Sequence, residues 1–415
     1  MKKLTAVLLV FAFVLAAPLM ASAQNMLDQR LSKVEEMVKG LKMSQKMGFH
    51  LYASLRPHLG YYDVDEDYAA VSGALEGPAM DPTIGVDDSG TLLSIGGQSR
   101  FGAKAIASRD LYGVIEFGLT ETDRGGEVSD PYLRLAYGVW NFGAGKLTVG
   151  KDYTPGTFLG YSSMMGDIGD QGDANMLVGG LSYIGRQPQV KLSFGDFDIA
   201  LIEQNTGAAA YGGDKDFYLP RIEAAYVFRM DNINIRPVAG YQTYEVEDRV
   251  VGGTALPDED IDSFLLGLGV SATFDPVYVK GTVSFMQNAL NYGQSNLVLA
   301  NGTLANTITQ AQVGTDVEDS DLLQGTLVAG AKLNEKIGLE AGVGYLNAEV
   351  DVAGLGTAEQ TGMVYYFQAP VQLAKGMQII PEIGMVDRGD FETDALPDQD
   401  SGTMSYIDFN FRVDL

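Results

Sequence analysis

The sequence predicts an all-β chain, a transmembrane antiparallel β-barrel of about sixteen strands, with a short N-terminal α-helical segment of coiled-coil character. Three observations carry this. Sixteen stretches of alternating apolar and polar residues run from about His50 to Leu415. The connections between them alternate short and long. A secretory leader precedes them. Side chains of a strand point to opposite faces in turn, so alternation means one oily and one wet face. In SYIDFNFRVDL, Ile407, Phe409, Phe411, Val413 and Leu415 fall on one face, and Tyr406, Asp408, Asn410, Arg412 and Asp414 on the other. A soluble sandwich uses such strands too, but it has no reason to sort its connections by length. Lipid outside, water inside and loops sorted to the two sides of a membrane give that reason.

Residues 1–23 read as the signal peptide. Lys2 and Lys3 are the basic start, Leu4 to Met20 the apolar run, and Ala21-Ser22-Ala23 the small-residue cleavage site. An anchor helix is the alternative, but the run is short for a span and carries Pro18. Cleavage leaves 392 of the 415 residues and takes the net charge from −26 to −28. No later stretch reaches the ~18 consecutive apolar residues that a spanning helix needs.

Residues 24–45 form a separate, periplasmic helical segment. Leu27, Leu31, Val34, Val38 and Leu41 are spaced 4, 3, 4 and 3, a heptad seam. A helix this short is marginal alone and needs a partner surface. Either it lies on its own chain or copies of it form a short parallel coiled coil, which the narrow apolar stripe favours.

The barrel domain occupies 46–415. Its strands read at about 48–62, 92–107, 111–121, 130–142, 145–153, 179–194, 196–204 and 216–229, then 232–246, 261–274, 276–292, 321–333, 336–350, 360–373, 376–388 and 402–415. Short turns such as Ser108-Arg109-Asp110 and Gly143-Ala144 alternate with long polar loops such as 63–91, 154–178 and 293–320. An even strand number puts both chain ends on one side, the periplasm, with the long loops outside.

Composition excludes several function classes. Cysteine is absent, so thiolate metal sites and disulfides are impossible. His50 and His58 are the only histidines, with no companion serine motif, which argues against an enzyme. No cofactor is implied. The acidic balance argues against nucleic acid as a partner. DVDED (63–67), DEDID (258–262) and DVEDSD (316–321) are read as solvated loops or as places where divalent cations sit, alone or between lipopolysaccharide phosphates.

The order of four segments resembles the general porin family of Gram-negative outer membranes, trimeric sixteen-stranded barrels. HLYASLRPHLGYYD (50–63) looks like the first strand of that family, and GQSRFGAKAIASRDLYGVIEFGLTE (97–121) like its second hairpin. RLAYGVWNFGAGKLTVGKDYTPG (134–156) is similar to its fourth and fifth strands, and GYSSMMGDIGDQGDANM (160–176) resembles the loop that folds into the channel. The resemblance implies a constriction where loop carboxylates face basic wall residues. Arg100, Lys151 and Arg186 match the basic positions, and Asp167 the acidic one, with Asp170 or Asp173 supplying a second acid because Ser163 stands where some relatives carry one. The last residue, Leu415, departs from the aromatic ending common in such barrels.

Alternation supports part of this independently. Gln98, Arg100 and Lys104 oppose Phe101, Ala103 and Ala105; Ser54, Arg56 and His58 oppose Leu55, Pro57 and Leu59; and Arg134 opposes Leu133, Leu135 and Tyr137. A basic group facing lipid costs roughly 2–4 kcal/mol at mid-membrane, so the lumen is the cheaper side for Arg56, Arg100, Lys104 and Arg134. Lys104 and Arg134 fit an ion pair at a rim or subunit interface equally well, and the facing of Lys151 after Gly150 is open. The implied function is passive diffusion of small hydrophilic solutes and ions through a charged constriction, with mild cation preference from the acidic loops. Outer-membrane lipid, lipopolysaccharide and two further copies of the chain are the expected partners. The alternative is a structural barrel that tethers or spaces the membrane from the cell wall through its N-terminal helix.

Overall fold

The structure, a computed structural model, describes residues 48–415 except 66, 68–88, 97, 120–130, 164–178, 205, 207–212, 252–253, 295–296, 298, 300–307 and 314–316. The signal peptide, the segment 24–45 and the seam of Leu27, Leu31, Val34, Val38 and Leu41 lie outside the described residues.

Among the described residues the chain forms a closed antiparallel barrel of sixteen strands. They are β1 (Gly48–Leu55 and Pro57–Val64), β2 (Ser89–Ile95 and Ser99–Ser108), β3 (Leu111–Leu119), β4 (Tyr132–Asn141), β5 (Lys146–Tyr153), β6 (Arg186–Phe194) and β7 (Phe197–Ile202). Next come β8 (Asp214–Asp216, Arg221–Tyr226 and Phe228–Met230), β9 (Ile233–Glu247), β10 (Glu259–Phe274), β11 (Val277–Gln287) and β12 (Asp321–Lys332). The last are β13 (Gly338–Val352), β14 (Gly356–Gln368 and Val371–Ala374), β15 (Met377–Asp387 and Asp390–Thr393) and β16 (Thr403–Asp414). Each pairs with its sequence neighbour, and β16 closes onto β1 with Leu59 opposite Phe409 and Ser54 opposite Asp414. Leu415 and Ala53 exchange both backbone hydrogen bonds at this seam, at 2.9 and 3.3 Å.

Alternation sorts the faces as the sequence predicts. On β16, Tyr406 and Asp408 are buried, whereas Ile407 and Phe409 are 49% and 40% exposed. Ile115, Val190, Leu266, Leu327, Phe367 and Ile383 continue the exposed apolar outer face around the barrel. Closure removes the edges and satisfies the backbone within the wall, as a bilayer demands.

A repeated device stiffens the wall. Gly118, Gly342 and Gly384 stand opposite Tyr132, Tyr366 and Tyr406 on the neighbouring strands, and each tyrosine ring lies over its glycine, where a Cβ would overlap it. This is the aromatic rescue of a strand glycine. Each glycine follows a glutamate by two positions, in Glu116-Phe117-Gly118, Glu340-Ala341-Gly342 and Glu382-Ile383-Gly384. The Tyr366 and Tyr406 hydroxyls donate to Glu340 (2.8 Å) and Glu382 (2.7 Å).

Three sequence expectations change. Residues 179–185, expected in a strand, are not in the ladder: Gly180 (φ 122°) and Gly185 (φ 78°) turn the chain, and Leu181, Ser182 and Ile184 are buried inside the barrel. Residues 288–292, also expected in a strand, leave it because Asn288 is left-handed (φ 53°) and Ala289–Tyr292 makes one helical turn. The third is a β-bulge. Leu133 pairs with Phe117 but Leu135 with Glu116, so Arg134 is the extra residue of the bulge. Leu135 therefore joins Arg134 on the inner side, Tyr137 follows it, and only Leu133 stays outside.

Candidate functional site

The inner wall of β2–β6 carries a chain of linked arginines. Arg100 and Lys104 share the inner face of β2 with Gly102, whose partner across the ladder is Glu116. Glu116 is buried and central. Its Oε1 accepts from Arg134 Nε at 2.9 Å, and its Oε2 accepts from the Tyr52 hydroxyl at 3.0 Å and lies 3.6 Å from Arg100 Nε. Arg134 Nη2 donates to Gln98 Oε1 at 2.8 Å and to the Tyr153 hydroxyl at 3.4 Å. That hydroxyl also accepts from Arg186 Nη1 at 3.5 Å, and the Arg186 guanidinium lies 5.5 Å from the Tyr153 ring centre. Arg100, Arg134 and Arg186 thus sit on one string of contacts that passes through Glu116 and Tyr153.

The other expected basic residues are placed differently. Lys104 lies 4.2 Å over the Tyr112 ring. Lys151 donates to the Leu133 carbonyl at 3.0 Å and is not linked to that string by a hydrogen bond or ion pair in the described contacts. Arg56 donates from Nε to Ser54 Oγ at 3.1 Å, and Ser54 donates on to Asp414 at 2.8 Å. Arg56 is 8% and Arg134 1% exposed. They turn inward as expected but do not line open water, because their partners cover them. A buried guanidinium keeps its charge only with such partners. Lys191, which sequence reasoning missed, pairs with Asp152 at 2.7 Å on the same wall. On the inner faces of β1–β6, Arg56, Arg100, Lys104, Arg134 and Lys191 outnumber Glu116 and Asp152.

The connection from β5 to β6 folds into the barrel. Its outgoing arm, 154–163, and its return arm, 179–185, run side by side, with Thr154 N–H donating to the Gly185 carbonyl (3.2 Å) and Phe158 N–H to the Ser182 carbonyl (3.3 Å). Asp167 and Asp170, expected at the tip with Asp173, lie outside the described residues. The outgoing arm is fixed to the opposite wall. Gly156 N–H donates to Glu223 of β8 at 2.5 Å. Arg236 of β9 donates to the Pro155 and Thr157 carbonyls at 2.7 and 3.1 Å. Phe158 is fully buried over β10, where a Cβ on Gly267 or Gly269 would come within 2.7 or 2.9 Å of its ring. Ser163 donates to Glu340 of β13 (2.7 Å) and accepts from Gln368 of β14 (2.8 Å). A carboxylate at 163 would face Glu340 across that bond, which accounts for the serine.

The lumen beside β8–β15 is not the wet interior expected from alternation. Phe158, Leu181 and Ile184 of the loop pack with Leu265, Leu322 and Leu346 of the wall in one buried apolar cluster. Part of the β11–β12 connection joins them, with Tyr292 fully buried and its hydroxyl donating to Glu223 at 3.2 Å. Burial raises the Tyr292 phenol well above its ordinary value, so it remains a neutral donor. The inside of the barrel thus has two characters: a basic, hydrogen-bonded wall on β1–β6 and a filled, apolar side on β8–β15. Sequence reasoning missed Glu116, Glu223, Arg236, Glu340 and Gln368; the recurring Glu-x-Gly was the signal for two of them.

No protein-family model matches the chain, and neither does any curated protein. Solved structures do match. The outer membrane channel DcaP of Acinetobacter baumannii superposes with a TM-score of 0.60 at 14% identity, over 90% of this chain and 99% of that one. The anion-selective porin from Comamonas acidovorans gives 0.56 at 14% identity, over 89% and 100%. OmpF of Salmonella typhi, solved with daunomycin, gives 0.52 at 12% identity, over 88% and 97%. The chain has the fold of these sixteen-stranded outer-membrane barrels.

Proposed function

We propose that the protein is a diffusion channel of a Gram-negative outer membrane, passing small hydrophilic solutes and ions along the β1–β6 wall of its barrel. The observation that carries this reading is the pairing of a closed barrel, apolar outside, with a β5–β6 loop bound to one inner wall while linked arginines occupy the other. Arg100 and Arg186 supply the positive side of the constriction, and Asp167 and Asp170 the negative side; Lys151, opposite Ala136 on the outward parity of exposed Val149, stands apart from it. A field between the two orders water and polar solutes and disfavours apolar ones.

Selectivity favours anions in this reading, not the cations expected from the acidic loops. The acids Asp321, Glu349, Glu359 and Glu392 stand directly opposite one another across β12–β15. They share the outward parity of the exposed Leu323 and Tyr345 and lie on the far side of the wall from the lumen. Screening over about 8 Å at physiological salt mutes them there, whereas Arg100 and Arg186 stand beside the path in this reading.

Planar-bilayer recording of the purified full chain tests the function. Steady open levels that carry current in proportion to salt support it; a barrel that inserts but shows no open level refutes it and leaves the structural-tether reading. Asp167→Asn should shift selectivity further toward anions and Arg100→Ala should enlarge conductance; two variants that select and conduct like the parent would remove the constriction assignment. We also take the protein to be a homotrimer, as its resemblance to the porin family implies; three copies would give the heptad seam at residues 26–43 its partners.

A further inference from the structure

The return arm of the inserted loop has an unusual tether. Gln294 belongs to the β11–β12 connection and is fully buried. Its Oε1 accepts from the Tyr183 N–H at 2.8 Å and its Nε2 donates to the Leu181 carbonyl at 3.3 Å. One side-chain amide therefore meets the N–H of one residue and the C=O two positions earlier, as a neighbouring strand would. Among the described residues, every other hydrogen bond of 179–185 goes to the outgoing arm: Gly185 to Thr154, and Ser182 to Phe158 and Gly156. Among the described residues, Gln294 is what ties the return arm by hydrogen bonds to anything beyond its own loop.

The residues leading to Gln294 are built to hold it still. Asn288 accepts from the Ser320 N–H (2.9 Å) and donates to Asp319 (2.6 Å) and to the Asp262 carbonyl (2.8 Å). Asn291 donates to the Tyr244 hydroxyl (2.8 Å) and accepts from the Ala311 N–H (2.9 Å), and its carbonyl accepts from Gln242 (2.6 Å). The Tyr292 carbonyl accepts from Arg221 at 2.6 Å. Left-handed Asn288 (φ 53°) and Gly293 (φ 102°) bracket the turn between them. A turn anchored to β8, β9 and β10 thus presents one amide to one segment of another loop.

We propose that Gln294 is a positioning residue of the channel, and that it holds the return arm 179–185 against the β12–β13 wall so that the path along β1–β6 stays open. This rests on the channel reading above. Gly180 shows how close that seat is: a Cβ there would lie 2.6 Å from the Tyr345 carbonyl oxygen of β13. Without the tether the return arm keeps its bonds to the outgoing arm and its apolar packing but loses its own polar hold on this seat, and the space it enters when it leaves is the water path. Loss of Gln294 therefore closes the channel intermittently while the barrel stays folded.

The test is single-channel recording of the parent, Gln294→Ala and Gln294→Glu, each shown to be a folded barrel by heat-modifiable migration in gel electrophoresis. Gln294→Ala should flicker between the parent level and a lower one. Gln294→Glu keeps the acceptor for Tyr183 but loses the donor to Leu181 and should flicker less. Amide hydrogen exchange over 179–185 should accelerate in the same order while the β1–β6 strands keep their protection. A steady parent level in Gln294→Ala, or unchanged exchange at Tyr183 in either folded variant, overturns the proposal. A parent that does not conduct sinks the channel reading instead, and the exchange experiment still decides whether Gln294 holds the arm.

Discussion

Arg134 and Glu116 form a buried ion pair, 2.9 Å from Nε to Oε1, across the bulge that Arg134 itself makes in the β3–β4 ladder. The bulge aims the guanidinium inward at a carboxylate that Arg100 and Tyr52 also approach. Removing one partner of such a pair leaves a buried charge uncompensated and costs about 3–5 kcal/mol. Glu116→Gln keeps the shape and a weaker acceptor. It should lower stability toward urea and increase anion selectivity, because two guanidiniums lose their shared counter-charge. Reversal potentials in a salt gradient read the second effect; a shift toward cations would contradict the assignment of this wall to the path.

Gly384→Ala forces a Cβ into the Tyr406 ring. Overpacking of this kind typically costs about 1–3 kcal/mol. In a Tyr406→Ala background the same glycine change should cost far less, since the ring is gone. Urea unfolding of the four proteins gives the coupling; additive effects would mean that the ring and the glycine do not interlock.

Ile383 is 52% exposed on the outer face in the middle of β15. Ile383→Arg places a charge in hydrocarbon and should cost roughly 2–4 kcal/mol if the site is near the membrane midplane. The neighbour on the inner side, Glu382, is itself an ionisable residue, so the contrast is one of facing. Folding titrations into lipid vesicles measure it, and a neutral Ile383→Arg would place this face against protein or water.

The segment 26–43, outside the described residues, is expected from its heptad seam to form a parallel three-stranded coil. Tethering three copies raises their effective concentration and offsets the cost of association. Replacing Leu31 and Val38 by Asp should abolish helical signal from this segment and leave single-channel conductance unchanged. Loss of conductance, or capture of residues 24–45 by purified cell wall, would shift weight to a role in the pore or in tethering.

The barrel was legible because each strand reports its own facing: a two-residue period needs no knowledge of the partner strand, as Ile407 and Asp408 illustrate. The inserted loop was legible only through its resemblance to a family. What local pattern could not reveal depends on distant contacts. LSYIG at 181–185 is strand-like in composition, and only the turns at Gly180 and Gly185 and the meeting with Gln294 take it out of the ladder. Leu346 and Ala348 turn inward into a buried cluster with Phe158 and Leu181, a meeting of distant segments that no local pattern reports. The bulge at Arg134 is invisible to alternation, which assumes that no residue is skipped.

The seam between β1 and β16 joins Ser54 to Asp414 across 360 positions of chain. Until that pair forms, one side of β1 is an open edge able to accept any strand. The ring cannot close by zipping alone; its final step is an encounter between the two ends of a nearly complete sheet, late and costly in loop entropy. A protein with this seam depends on being shielded while unfinished, and changes at Ala53, Ser54 or Asp414 should lower the yield of closed barrels more than the lifetime of those that have closed.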